Sequence, residues 1–311
     1  MNFQQLRIIR EAVQRNFNLT EVANALFTSQ SGVSKHILDL ENELGIELFV
    51  RKGKRLTGLT EPGKELVGIV ERMLIDAKNI KRLAEQFANR DEGSLTIATT
   101  HTQARYALPP VVRRFRESFP KVHLVLHQAG PAEIVSLLQS GDADIGIATE
   151  SLDVSPAQSS PFVSFPFYEW RHAVVVPDGH PLTKLPTLTL EALAEHPLIT
   201  YHEGYTGRPR IDATFAAAGL VPDVVMSALD ADVIKTYVEV GLGVGIVASM
   251  AFDAARDIGL KRLDASHLFE PNTTRIAVRR GHYLRGYAYR FLEDCSAALT
   301  PEVVKAALGA E

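Results

Sequence analysis

Two groups of side chains in this 311-residue sequence have the types and spacing to do chemistry. The first is Thr100, Thr102 and Gln103, in the run Ala98-Thr99-Thr100-His101-Thr102-Gln103-Ala104, where a short apolar strand gives way to a helical pattern. A helix start offers unpaired N–H groups and a partial positive charge, so it binds anions well. Two hydroxyls and an amide beside it can hold an oxyanion without a bulky cation. Simple capping would need one of the three. The second group begins with Thr28 and Ser29, whose hydroxyls suit a helix N-cap, and continues through Gln30, Ser31, Ser34 and Lys35. Downstream lie Arg51, Lys52, Lys54 and Arg55. Amides, hydroxyls and a lysine on one helix can read base edges, and clustered cations can lie along phosphates.

The elements that must position the second group are two short helices between Leu19 and Leu44. Thr20 is expected to cap the first, with Val22, Ala23 and Leu26 on its apolar side. In the second, Val33, Ile37, Leu40 and Leu44 recur at helical spacing and predict one buried stripe. Ser31, Lys35 and Asn42 fall opposite it. A surface helical hairpin would show the same pattern, and the next stretch separates the two readings. Gly45 ends the helix, and two apolar strands, Ile46–Phe49 and Leu56–Leu59, flank the basic turn Arg51-Lys52-Gly53-Lys54-Arg55, which predicts a wing. A first helix, Asn2–Asn16, presents Phe3, Leu6, Ile9 and Val13 to this unit.

Thr60-Glu61-Pro62 reads as the start of a long helix, with a capping hydroxyl, an acid and a first-turn proline. Along it Leu66, Val70, Met73, Ala77, Ile80, Ala84 and Phe87 make a heptad-like seam suited to pairing two chains. A helix lying on a globular core would carry a similar stripe. Beyond Asp91-Glu92-Gly93-Ser94, short apolar strands alternate with helices, as in parallel α/β layers. Strands are expected at Leu95–Ala98, Val122–His127 and Ile145–Ala148, with helices at Gln103–Ser118 and Pro131–Gln139. A Ser- and Pro-rich loop, Asp153 to Pro161, breaks the pattern. A second set follows, with strands at Ala173–Val176, Leu198–Tyr201, Val224–Ser227 and Val244–Ala248 and helices at Ile211–Ala218 and Asp232–Val240. The strand Thr274–Val278 and the helix Leu284–Leu299 are expected to return to the first lobe.

Composition narrows the function classes. The formal net charge of −4 argues against a protein that coats nucleic acid, yet half of the basic groups in the first 60 residues sit in the wing. With Cys295 as the one cysteine, no intrachain disulfide can form, and a reducing cytoplasm is expected. No apolar run approaches the ~20 residues that span a membrane. Gly241, Gly243 and Gly245 follow a helix and precede a strand, the reverse of a dinucleotide fingerprint. The ten histidines show no metal-ligand spacing, and no G-x-S-x-G occurs. No catalytic residue, metal or cofactor is expected.

Taken together, Q-Q-L-R-I-I, T-S-Q-S-G-V-S-K, L-E-N-E-L-G and L-F-V-R-K-G-K-R-L-T-G-L-T-E-P-G resemble the winged helix-turn-helix of LysR-type transcriptional regulators. A-T-T-H-T-Q-A-R-Y-A-L-P and A-D-V-I-K-T-Y-V-E-V-G-L-G-V-G-I-V-A-S-M are similar to the CysB and Cbl branch of that family. The resemblance implies an α/β chain in three parts: a winged helix-turn-helix domain over 1–59, a linker and dimerisation helix over 60–90, and a two-lobed periplasmic-binding-protein-like effector domain over 91–311. Within the last, lobe I would hold about 93–163 and 268–299, and lobe II about 164–267. It further implies regulation of sulfur-assimilation genes, cysteine, sulfate or sulfonate, by a homo-oligomer, a dimer of dimers. Double-stranded operator DNA would be one partner, RNA polymerase another, and a small anion such as sulfate, N-acetylserine or a sulfonate-related compound the effector. By motif, Thr149, Trp170 and Thr206 would join Thr100, Thr102 and Gln103 around that effector. Leu38 and Asp39 depart from the branch in the reading helix, the 153–161 loop is longer, and His202 stands where threonine is usual. The competing readings are a cytosolic anion or amino-acid-derivative sensor with no DNA-reading role, and a LysR-type regulator of a different pathway. An enzyme of the two-lobed type ranks third.

Overall fold

The computed structural model describes residues 1–53, 55–88, 91–152 and 161–309. The wing residue Lys54, the linker end at 89–90 and residues 153–160 of the Ser- and Pro-rich loop lie outside the described residues. The chain divides into two compact units, residues 1–84 with 281–283, and residues 85–280 with 284–311.

In the first unit three helices, α1 (Phe3–Gln14), α2 (Leu19–Ala25) and α3 (Gln30–Leu44), precede two strands, β1 (Phe49–Lys52) and β2 (Arg55–Leu59). Asn2 and Gln5 form a reciprocal capping box on α1. The cap of α2 is Asn18, not Thr20: its Oδ1 accepts the N–H groups of Thr20 and Glu21 at 3.1 and 3.4 Å. An Asn immediately ahead of the helix reaches both free amides, which a Thr inside the first turn does not. Ser29 caps α3 by accepting the Gly32 N–H at 3.1 Å, and Gly45 closes it with φ at +70°. Val33, Ile37 and Leu40 are buried with Leu6, Ile9 and Val22, but Leu44 is exposed, so the α3 stripe ends one turn early. The wing strands pair antiparallel and begin at Phe49, three residues later than expected, because residues 46–48 form the approach to the strand.

Helix α4 (Glu61–Ala88) starts at the expected cap, with Thr60 Oγ1 accepting from Gly63 N–H at 3.1 Å and donating to the Glu47 carbonyl at 2.7 Å. Its seam divides. Leu66, Val70 and Met73 pack, with Leu74, against the winged core of the same chain. Ile69, Ile80, Leu83 and Phe87 are exposed, the last at 75%.

The second unit contains two five-stranded sheets. One has the order β4-β3-β5-β12-β6, built from β3 (Gly93–Thr99), β4 (Val122–Gln128), β5 (Ile145–Ala148), β6 (Phe162–Trp170) and β12 (Asn272–Arg279). The other has the order β11-β7-β10-β8-β9, from β7 (His172–Pro177), β8 (Leu198–Tyr201), β9 (Val224–Ala228), β10 (Val244–Ala248) and β11 (Leu260–Asp264). Strands β3, β4 and β5 run parallel, as do β8, β9 and β10, while β12 and β7 enter their sheets antiparallel. The return of β12 to the first sheet is as expected. The lobe boundary is not: β6 pairs along its length with β12, so lobe I runs on to Trp170 rather than ending near 163. Its run Phe162-Val163-Ser164-Phe165-Pro166 lacks clean alternation and contains a proline. Both suit a sheet-edge strand, where the N–H that proline lacks is not missed.

The helix expected over Gln103–Ser118 is two elements, a π-helical turn over Gln103–Ala107 and then α5 (Pro109–Ser118), because Pro109 cannot continue the hydrogen-bond ladder. Helices α6 (Pro131–Ser140), α7 (Leu190–Ala194), α8 (Arg208–Ala217) and α9 (Ala231–Glu239) cover the sheets. Helices α10 (Gly286–Cys295) and α11 (Pro301–Leu308) complete the chain. Gly241 adopts φ +82° at the end of α9, and a Cβ on Gly245 would lie 2.8 Å from Val238 Cγ2, so these glycines serve a helix end and close packing.

Candidate functional site: an interlobe cleft and a winged reading head

In the reading head, Thr28, Ser29, Gln30, Ser31 and Lys35 are exposed at the start of α3, and Ser34 is half-buried. Gln30 lines a concavity of about 460 Å³ with Arg55 of the wing and with Asn18 and Thr20 at the start of α2. Lys52 and Arg55 are exposed. Arg51 points elsewhere. Its guanidinium pairs with Glu41 Oε2 at 2.6 Å, while Glu41 Oε1 accepts the N–H groups of Leu48 and Phe49 at 2.8 and 3.1 Å. Glu41 is buried, so Arg51 is needed to compensate its charge and anchors the wing to α3.

The hydroxyl and amide cluster stands at the C-terminal end of β3, where Thr99, Thr100, Thr102 and Gln103 are all buried. Gln103 Nε2 and Thr206 Oγ1 are buried without a hydrogen-bond partner among the described residues, and buried Thr102 Oγ1 has none of ordinary geometry, the Tyr201 hydroxyl being its nearby polar neighbour. Thr206 lies in lobe II, just before α8, with its backbone at φ +42°. Buried donors left unpaired are rare and costly, and here Thr102 and Gln103 stand on one lobe and Thr206 on the other. Gln103 Oε1 is held by the Tyr168 hydroxyl, which fixes the amide so that its N–H₂ is the free end. Burial pushes the Tyr168 phenol up to about 12, so it stays a donor at neutral pH.

Thr149 and Trp170 meet at Thr274, a fully buried hydroxyl on β12 that sequence reasoning assigned to a strand and nothing more. Thr149 Oγ1 lies 3.3 Å from Thr274 Oγ1, and Trp170 Nε1 donates to it at 3.1 Å. The indole N–H is therefore engaged within the protein, and its part in the cleft is to brace the wall. Thr149 also lines a cavity of about 220 Å³ with Glu150, Gly207, Arg210 and Asn272. His202 is exposed, its ring edge-on to Tyr205.

Behind the cluster, at the two strands that cross between the lobes, His172 is packed edge-on to Trp170 and Phe269. Its Nε2 faces the Thr206 carbonyl at 3.4 Å, and Asn272 Nδ2 faces its Nδ1 at 3.5 Å. Burial lowers His172 to about 4 and keeps it neutral. Gly207, at φ +73°, fits against this pair: a Cβ there would fall 2.7 Å from Asn272 Oδ1 and 2.8 Å from His172 Nε2. Further side-chain ties join the lobes. Tyr106 Oη donates to Asp232 Oδ1 at 2.7 Å, Arg105 Nε pairs with Asp232 Oδ2 at 2.6 Å, and Glu150 accepts the Gly207 N–H. His101, Asp230 and Asp232 bring ligand-type atoms within 4.8 Å of one another. Asp232 is already compensated by Arg105 and, at 3.4 Å, by Lys235, so the trio is part of the lobe contact.

A winged helix-turn-helix joined by a long helix to a two-lobed α/β body with unpaired donors in its cleft defines a ligand-responsive DNA-binding protein. Residues 3–64 match the family described as bacterial regulatory helix-turn-helix protein, lysR family, and residues 88–300 match the LysR substrate binding domain. The chain is 60% identical over 293 residues to the HTH-type transcriptional regulator SsuR of Burkholderia cenocepacia, covering 94% of each. It is 57% identical to the HTH-type transcriptional regulator cbl of Escherichia coli K12, over 98% of this chain and 95% of that one. The crystal structure of the cofactor-binding domain of the Cbl regulator superposes with a TM-score of 0.66 at 52% identity, covering 70% of this chain and 93% of that domain. The chain belongs to the LysR family of transcriptional regulators.

Proposed function

We infer that this DNA-binding regulator serves sulfur assimilation and that a small anionic effector in the interlobe cleft controls it. The observation that carries the reading is the set of buried donors without partners of ordinary geometry, Thr102 Oγ1, Gln103 Nε2 and Thr206 Oγ1, contributed from both lobes. Thr100 and Thr149 complete the shell, and Trp170 braces it through Thr274. Sulfate, N-acetylserine and sulfonate-related compounds all present an oxyanion of the size and hydrogen-bonding character that hydroxyls and an amide accept. A ligand shifts a conformational equilibrium only by its differential affinity for the two states, and contacts made from both lobes at once provide that difference. The regulator works as a homo-oligomer in the cytoplasm on double-stranded operator DNA, in concert with RNA polymerase.

On the DNA side, Gln30 and Ser34 read bases, while Lys52, Lys54 and Arg55 supply phosphate contacts. Fluorescence anisotropy with operator and scrambled duplexes tests this division. Gln30→Ala should lose discrimination between them, on the order of 1–3 kcal/mol per base contact. Lys52→Ala should weaken both duplexes alike and reduce the salt slope by about one. Saturating effector should change operator affinity in the wild type. Equal preference for operator over scrambled DNA in Gln30→Ala and wild type contradicts the assignment of the reading helix.

A further inference from the structure

The least expected charge in the cleft is a negative one. Glu150 follows Thr149 at the end of β5 and lines the same cavity as Gly207, Arg210, Asn272 and Arg275. One carboxylate oxygen accepts the Gly207 N–H at the start of α8, the place where a helix welcomes an anion. The other, Oε2, is buried and receives no hydrogen bond of ordinary geometry from the described residues. An ionised oxygen in that state is costly unless something donates to it. The groups around it compensate that charge only in part, through the nearby amides of Thr206 and of Glu150 itself and the charge of Arg210. Arg210, on α8, is exposed; Arg275, on β12, is turned to Ser164, with its Nε 2.7 Å from the Ser164 hydroxyl. His172, across Gly207, is neutral, and Asn272 is occupied with it.

We propose that Glu150 sets the chemistry the cleft accepts: it selects anions that carry an N–H donor, ammonium or amide, beside their acid group, and it admits a bare oxyanion only together with a proton. The proposal rests on the effector reading of the cleft. Thr149 lines the same cavity, and the Thr206 amide approaches the carboxylate; both residues belong to the proposed effector shell, so a ligand held there lies beside Glu150. A ligand N–H would fill its Oε2. A sulfate oxygen would face it with like charge, and the repulsion disappears when Glu150 is protonated. Burial already favours the protonated acid, raising Glu150 above the ordinary glutamate range, against the pull of the Gly207, Glu150 and Thr206 amides and of Arg210.

The test is calorimetry with inorganic sulfate, which has no donor, and O-acetyl-L-serine, which has an ammonium, between about pH 5 and about pH 6.5, below the range in which the ligand's amino group titrates. Wild-type affinity for sulfate should fall as the pH rises, by up to about tenfold per unit, and binding should take up close to one proton. Affinity for O-acetyl-L-serine should hold or rise over the same range. Glu150→Gln should abolish the sulfate slope and proton uptake and shift the ratio of the two affinities toward sulfate by about tenfold or more. Glu150→Asp, which keeps the charge, should keep the wild-type preference. Sulfate binding to the wild type without proton uptake overturns the proposal, even should Glu150→Gln fail to fold. An unchanged affinity ratio in folded Glu150→Gln overturns it too. If both ligands bind and these signatures are missing, the role of Glu150 fails and the effector reading stands. If neither ligand binds the wild type, the effector reading fails as well.

Discussion

Thr206 and His172 are joined by one hydrogen bond, and through it the ligand shell meets the crossing between the lobes. With Nε2 donating to the Thr206 carbonyl and Nδ1 accepting from Asn272, the imidazole is used in its neutral form, and protonation would break the second contact. The folded-state value of about 4 lies below the ordinary 6.5. Between those values the unfolded chain binds the extra proton, so stability is fully present above the ordinary value and is lost as the pH falls through the window. The expected loss from this residue is about 2 kcal/mol between about pH 7 and about pH 5. Denaturant titrations at both pH values, with His172→Gln as the comparison, check it: the variant should lack this increment, and an equal loss in both proteins would place the acid sensitivity elsewhere. None of this was legible in the sequence, where His172 is one of ten scattered histidines. Its role comes from burial between two aromatic rings and from Gly207, whose backbone leaves no room for a Cβ. Thr100, Thr102 and Gln103 can be singled out in the sequence because hydroxyls and an amide beyond capping need stand together, and the structure buries all three. Thr274 and Glu150 cannot, because their partners lie on other strands and become neighbours only in the sheet.

Helix α4 shows how one periodic stripe can serve two surfaces. Its first half is buried in its own winged core through Leu66, Val70 and Met73, and its second half presents Ile80, Leu83 and Phe87 to solvent. A sequence stripe states that one side of a helix is apolar and does not state what covers it. A pairing of two chains through α4 is therefore expected to use chiefly the exposed second half. Ile80→Lys with Phe87→Lys places two charges in that surface, which is costly without partners. The double variant should sediment with a lower mass while its circular dichroism stays that of wild type; an unchanged mass would contradict pairing through this surface. The same distinction explains other departures along the chain. Strands with uniform apolar character, Ile145–Ala148, Leu198–Tyr201 and Val244–Ala248, were legible to the residue because both faces are covered. Strand β6 was not, as an edge strand with Pro166 and adjoining a Ser- and Pro-rich run. The π-turn at Gln103 was also hidden. Its backbone is helical in pattern, and Pro109 alone signals that the ladder must restart.

At the scale of the molecule, a reading head with Gln30 and Lys52 exposed is carried on the same chain as a cleft whose donors come from two lobes. The ties across that cleft, Tyr106 and Arg105 to Asp232 and Glu150 to Gly207, hold the lobes in register around the shell. An effector bound there, as proposed, would satisfy donors that the protein leaves without partners of ordinary geometry. The proposed function requires that Thr102 and Thr206, from opposite lobes, hold one anion. Calorimetric titration of sulfate, N-acetylserine and O-acetylserine into wild type, Thr102→Val, Thr206→Val and the double variant measures it most directly. Valine keeps the shape and removes the hydroxyl, so each single change should lower affinity by about 1–3 kcal/mol, with the DNA-binding unit untouched. Because both hydroxyls grip the same ligand, the double variant should lose less than the sum of the two. Wild-type affinity retained in both single variants, or no binding of any of these anions to the wild type, would contradict the account.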